Sequence, residues 1–190
     1  MPDFTLTATP PLAGYNCSFG DIKLLAPKDL AIVSIALPLG GEDSAKKAIK
    51  AAFGVVFPKV GMSTIAKKPK GARLLRLGAD QAFILFPCAT PDAESQIAAT
   101  LKGAVYTTDQ TDGWCALEVL GTGALRALER ICPIDLHPDV FAVDAIARTE
   151  MEHMGVIVTR TSEDSYLLLS ASSSAESFLR AVKQSAENVS

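Results

Sequence analysis

Two stretches of this 190-residue chain lie over one another without a gap, 84 residues apart. Residues 73–80 read RLLRLGAD and residues 157–164 read IVTRTSED, so Arg76 falls on Arg160 and Asp80 on Asp164. The same spacing sets Ala31 on Cys115, at the cores of two leading strands. Each half then reads strand, helix, hairpin-like strands, helix, which is the split β-α-β, ferredoxin-like grammar. The period is longer than the 20–50 residues of solenoid repeats, so it predicts one duplication, not an array. The expected fold is α+β: two βαββα units whose sheets share or abut one core.

Hydrophobic patterning places the elements. Residues 31–37 carry Ile32, Val33 and Ile35 and read as a strand. Ala45, Ala48, Ile49, Ala52 and Phe53 then share one helical face opposite Lys46, Lys47 and Lys50, and Gly54 supplies the stop. Strands are expected at 73–77 and 82–86, around a turn at 78–81. The run Phe83-Ile84-Leu85-Phe86 does not alternate, as expected of a strand buried on both faces. Thr90 and Pro91 open the next helix, and Gly103 closes it. The second half repeats this with strands at 114–120, 145–151, 155–161 and 166–169. Its helices are expected at 122–131 and from Ser173, whose spacing to Glu176 is that of a capping box. Residues 1–21, rich in Pro, Thr and Gly, read as an N-terminal arm. The halves are then 22–103 and 104–186, forming one compact unit.

Much chemistry is excluded. With 18 Lys and Arg against 21 Asp and Glu, the net charge of −3 argues against nucleic acid or an anionic membrane surface as partner. The basic run 67–70 reads as a solvated loop. No apolar run approaches the ~18 residues of a membrane-spanning helix. The start of the chain lacks the basic and apolar regions of a secretory signal. Cys17, Cys88, Cys115 and Cys132 form no C-x-x-C pair and are expected as free thiols in the cytoplasm. The two histidines, His137 and His153, sit in no metal-binding frame. Gly121-Thr122-Gly123 lacks the rest of a dinucleotide fingerprint and reads as a turn plus N-cap. Asp109 and Asp112 belong to a polar loop. No catalytic, cofactor-binding or metal-ligating residue is expected.

One stretch stands out, CPIDLHP at 132–138. Pro133 lacks an N–H and cannot continue the preceding helix, and it biases Cys132 away from the α region. Pro138 holds His137 extended in the same way. Leu136 and Phe141 can be buried while Asp135 accepts from backbone N–H groups. Asp135, His137, Pro138 and Phe141 are therefore candidates for a partly exposed corner. It serves either as a subunit contact or as a packing corner that fixes the second sheet to its helix.

Three stretches, LRLGADQAFILFP (75–87), residues 105–138 ending in CPIDLHP, and residues 149–182, together resemble the gamma subunit of heterotetrameric sarcosine oxidase. Ala82, Thr111 and Trp114 depart from that family's usual residues. The resemblance implies a fold similar to the folate-binding domain of the glycine-cleavage aminomethyltransferase. It also implies a non-catalytic, accessory role in a cytoplasmic complex. That complex oxidatively demethylates sarcosine to glycine, yields hydrogen peroxide and passes a one-carbon unit to tetrahydrofolate. The partners implied are alpha, beta and delta subunits. They would carry FAD, FMN, NAD and zinc and bind tetrahydrofolate, with no cofactor in this chain. Two other readings compete. One is a free-standing folate-binding protein, for which Asp109 with Trp114 is the candidate pair. The other is RNA contact through residues 67–70, which the net charge disfavours.

Overall fold

The computed structural model describes residues 9–12 and 14–190. Strands β1 (Asn16–Phe19), β2 (Ile22–Leu25) and β3 (Leu30–Ala36) lead into helix α1 (Glu42–Phe53). Then come β4 (Ser63–Ile65), β5 (Arg73–Arg76), β6 (Gln81–Pro87) and helix α2 (Ala93–Leu101). The second half holds β7 (Tyr106–Asp109), β8 (Trp114–Leu120) and helix α3 (Ala124–Glu129). It closes with β9 (Ile146–Met151), β10 (Met154–Ser162), β11 (Ser165–Ala171) and helix α4 (Ala175–Glu187).

The strands form two antiparallel sheets, ordered β1-β2-β8-β11-β10-β9 and β4-β5-β6-β3-β7. Alternation along each strand sorts side chains to two faces. Ile32, Leu75, Phe83 and Leu85 of one sheet meet Ile146, Ile157, Leu167 and Leu169 of the other. The opposite face of the five-stranded sheet is covered by α1 and α2 through Ile49, Phe53, Ile97 and Leu101. The six-stranded sheet is covered by α3 and α4 through Leu128, Phe178 and Val182. The result is four layers, helix–sheet–sheet–helix. Each large apolar side chain fully buried there contributes about 1.5–3 kcal/mol. Residues 82–86 are buried on both faces, as their unbroken apolar run predicts.

The duplication is present at the level of hydrogen bonds. Ala31 pairs with Phe86 and Ala36 with Gln81. Cys115 pairs with Ser170 and Leu120 with Ser165, each 84 positions further on. Asp80 and Asp164 both sit in hairpin turns, where their carbonyls accept from the N–H groups of Leu37 and Gly121 at 2.8 and 2.9 Å. The two arginines repeat one clamp. Arg76 donates to the carbonyls of Gly78, Ala79 and Pro58, and stacks on Phe57. Arg160 donates to those of Ser162, Glu163 and Phe141, and lies over Tyr166. In each half the clamp fixes the hairpin to the segment that precedes it.

The leading strands change partners. In chain order β2 precedes β3, yet β2 pairs with β8 of the second half, through Lys23↔Leu120 and Leu25↔Glu118. Conversely β7 precedes β8 but pairs with β3, through Ala36↔Tyr106 and Val33↔Asp109. The expected boundary between 103 and 104 therefore does not divide the sheets. The expected arm is also corrected where it is described. Residues 16–19 form β1, paired with β2 from Asn16↔Leu25 to Phe19↔Ile22. Cys17 and Phe19 alternate with exposed Asn16 and Ser18, and Phe19 packs on the second half's core. The rest of that expectation, at residues 1–8 and 13, lies outside the described residues.

Gly121 is dictated by this exchange. Its φ is +106°, and a Cβ there would stand 1.9 Å from the Asp21 carbonyl oxygen in the β1–β2 turn. Thr122 donates its hydroxyl to the Asp21 carboxylate at 2.6 Å instead of capping α3, and this bond holds that carboxyl below its usual pKa.

The two clamps make a quantitative comparison. Arg160 is 4% exposed. Arg160→Met should cost about 2–4 kcal/mol, because three carbonyls lose their donor in a site closed to water. Arg76→Met, at a half-buried position, should cost about half as much. Chemical denaturation of both variants measures the difference.

Candidate functional site

The corner at 132–141 is built from the end of α3. The N–H groups of Ile131 and Cys132 both reach the Leu128 carbonyl, at 3.1 and 2.9 Å, and Pro133 then ends the helix. Leu136 is fully buried among α3, α4 and the sheet. Asp135 accepts the N–H of His137 at 2.8 Å, closing a side-chain turn. The carbonyl of His137 accepts from Val140 and Phe141, at 2.9 and 2.8 Å. Phe141 is buried, and its own carbonyl is the one that Arg160 holds at 3.0 Å. The corner is thus tied to β10. His137 itself points outward with 57% of its side chain exposed, 3.6 Å from the Asp139 carboxylate. Pro138 beside it is exposed.

Beyond Phe141 the two halves meet about a local pseudo-two-fold axis. Met62 and Ala145 form an isolated antiparallel bridge. Ser63 donates its N–H to the Asp144 carbonyl at 2.6 Å, and Ile146 donates to the Gly61 carbonyl at 2.9 Å. Gly61 has φ +79°, and Asp144, the reciprocal acceptor across the bridge, has φ +71°. The left-handed region is costly for most residues but tolerated by Asp and Asn. Here a carboxylate replaces a hydrogen, and Arg73 uses it. The Arg73 guanidinium donates both to Asp144 and, at 2.8 Å, to Ser63 Oγ.

Four valines in the segments that lead to this bridge are exposed: Val56 and Val60 in the first half, Val140 and Val143 in the second. They went unremarked in the sequence, although Val56-Phe57 and Val140-Phe141 repeat at the 84-residue spacing. Glu118 was also missed. It stands on the inter-sheet face of β8, and burial raises its pKa.

Other candidates resolve into structure. Asp109 accepts the Thr111 N–H at 2.8 Å, while Trp114 packs edge-to-face on Phe83 with ring centroids 5.6 Å apart. The folate candidate pair is therefore committed to a turn and to the inter-sheet core. Thr111 Oγ1 accepts the Ile32 N–H at 3.1 Å. Cys115 and Cys132 are buried, and burial pushes both thiols up, away from nucleophilic chemistry. Residues 67–70 are exposed. Among the described residues no three His, Cys, Asp or Glu side chains cluster to hold a metal, and no helix is long and apolar enough to cross a membrane.

These features define a duplicated α+β fold of two packed antiparallel sheets with helices on their outer faces. The chain superposes on glycine cleavage system aminomethyltransferase T from Bartonella henselae with a TM-score of 0.63 at 15% identity, over 85% of this chain and 45% of that one. It superposes more fully on a chain of heterotetrameric sarcosine oxidase from Corynebacterium sp. U-96. There the TM-score is 0.78 at 22% identity, over 95% of both chains. In sequence it resembles sarcosine oxidase gamma subunits. It is 30% identical to that of Arthrobacter sp. over 122 residues, 64% of this chain and 60% of that protein. It is 31% identical to that of Corynebacterium sp. strain U-96 over 134 residues, 68% of this chain and 62% of that one. The chain thus spans about three fifths of the length of these curated relatives. No family model matches it.

The corner's stability should reside in Leu136, not His137. Leu136→Ala should cost about 2–5 kcal/mol through lost burial and a cavity. His137→Ala in the isolated chain should cost under about 0.5 kcal/mol, as an exposed substitution. Thermal melts of the two variants distinguish them.

Proposed function

We propose that this chain is a non-catalytic, gamma-type accessory subunit of a cytoplasmic sarcosine-oxidase-like flavoenzyme. What carries the reading is the sequence similarity to gamma subunits, together with superposition along nearly the whole chain on a component of a heterotetrameric sarcosine oxidase. The reaction would be oxidative demethylation of sarcosine to glycine, with peroxide as the second product and a tetrahydrofolate-bound one-carbon unit as the third. FAD, FMN, NAD and the folate site would lie on alpha and beta subunits, and zinc on a delta subunit. This chain's part is to present surface.

The surface we assign to that contact runs from the corner to the pseudo-axis. Asp135 and Phe141 fix its backbone, while His137 and Pro138 stand outside. Val140 and Val143, which follow His137 and Pro138 in the chain, add exposed apolar area, and so do Val56 and Val60 in the first half. Exposed apolar side chains grouped at a surface favour protein contact.

Co-expression with the neighbouring reading frames, and purification through a tag on this chain, tests the reading. A yellow complex that oxidises sarcosine and releases peroxide is expected, whereas the chain expressed alone should be colourless and inactive. His137→Ala should leave the lone chain's melting temperature within about 2 °C and reduce the complex recovered. Stoichiometric flavin on the lone chain, or a co-expressed chain that purifies alone, would refute it.

A further inference from the structure

Duplication gives this protein an internal control, because equivalent places in the two halves can be compared. At one end of the inter-sheet layer Trp114 and Phe83 pack edge-to-face. Their counterparts 84 positions away are Leu30 and Leu167. Both are smaller, and between them opens a cleft of about 380 Å³. That volume lies in the lower part of the range of small-molecule sites, about 300–1,000 Å³.

The cleft differs from its sister in charge as well as size. Arg73, Glu118 and Thr161 line it, where the sister positions hold Ile157, Ser34 and Leu77. Of these paired positions, only those at the cleft carry ionisable groups. Arg73 is already matched, since Asp144 takes its charge and Ser63 a further donor. Glu118 is not matched. Among the described residues its carboxylate has no hydrogen-bond or ion-pair partner, and the exposed carboxylate of Asp29 stands at the same cleft. A partly buried carboxylate without a counter-charge costs stability unless something bound there supplies one. The walls beside it are apolar, formed by Leu30, Leu85 and Leu167.

We propose that this cleft binds a small organic cation, an alkyl- or arylammonium compound, with its charged nitrogen at Glu118 and its apolar body against Leu30, Leu85 and Leu167. The site is independent of the subunit assignment, because every residue in it belongs to this chain. Burial raises the Glu118 pKa above the ordinary 4.5. The folded state therefore holds that proton more tightly than the unfolded one, and stability falls as pH rises through the folded-state value. A cation bound to the ionised group offsets that loss.

The test is titration of the purified chain with benzylamine at pH 7, followed by NMR shifts or calorimetry, with benzyl alcohol as the neutral analogue. Saturable binding of benzylamine is expected, at least tenfold tighter than that of the alcohol. Glu118→Gln should weaken it at least tenfold while raising the melting temperature at pH 7, a rise that vanishes near pH 4. Leu167→Phe, which restores the sister's larger side chain, should also weaken it while the fold stays cooperative. A partner's lysine carries the same ammonium group, and the titration repeated on the co-purified complex separates the two sources. Binding retained there assigns the cleft to a free amine, and binding lost there assigns it to a partner's side chain. No saturable binding to the lone chain, equal affinity for amine and alcohol, or affinity unchanged in Glu118→Gln would overturn the proposal.

Discussion

Everything else in this structure depends on the exchange of leading strands. Without the exchanged strands β3 would have only β6 beside it and β8 only β11, and each would present an unpaired edge. Backbone N–H and C=O groups require partners, and an open edge invites association. The chain solves this by sending β2 to β8 and β7 to β3. Neither sheet is complete without residues from the other half. The apolar layer between the sheets reinforces the dependence, since each inner face is covered only by the other. Contacts of this kind join residues far apart in the chain, a topology that folds slowly.

On this shared frame the halves have kept some devices and changed others. The arginine clamps are kept, down to the carbonyls two and three residues after each arginine. The change at the axis, Gly61 against Asp144, turned a conformational requirement into a charge that Arg73 uses. Where Trp114 and Phe83 pack in one place, Leu30 and Leu167 line a cleft in the other. These two differences between the halves lie beside the pseudo-axis and between the sheets.

The fold class was legible because periodicity and the repeat are local properties of sequence. Arg76 with Arg160 and Asp80 with Asp164 could be set in register before any contact was known. The short exchanged strands and β1 were not legible. β1, β2 and β7 have four residues each, too few for a pattern, and their pairing partners lie far along the chain. Pro10, Pro11 and Gly20 made the N-terminal segment read as an arm, although Gly20 in fact turns a hairpin with φ +54°. Glu118 was hidden for another reason. In the alternating strand WCALEVL a charged residue on the weaker face looks solvated, and only the second sheet turns that face inward. The corner's backbone is set locally, because proline chemistry and the Asp135 turn act within a few residues. His137 stands exposed where its neighbours fix it.

The central claim is that the two halves are one folding unit joined by exchanged strands. Its most direct test is to express residues 1–103 and 104–190 as separate chains, and to record amide hydrogen exchange for each alone and for the mixture. The account predicts little protection in either fragment alone and native-like protection of β3 and β8 on mixing. A cooperative melt and strong protection in either fragment by itself would contradict it.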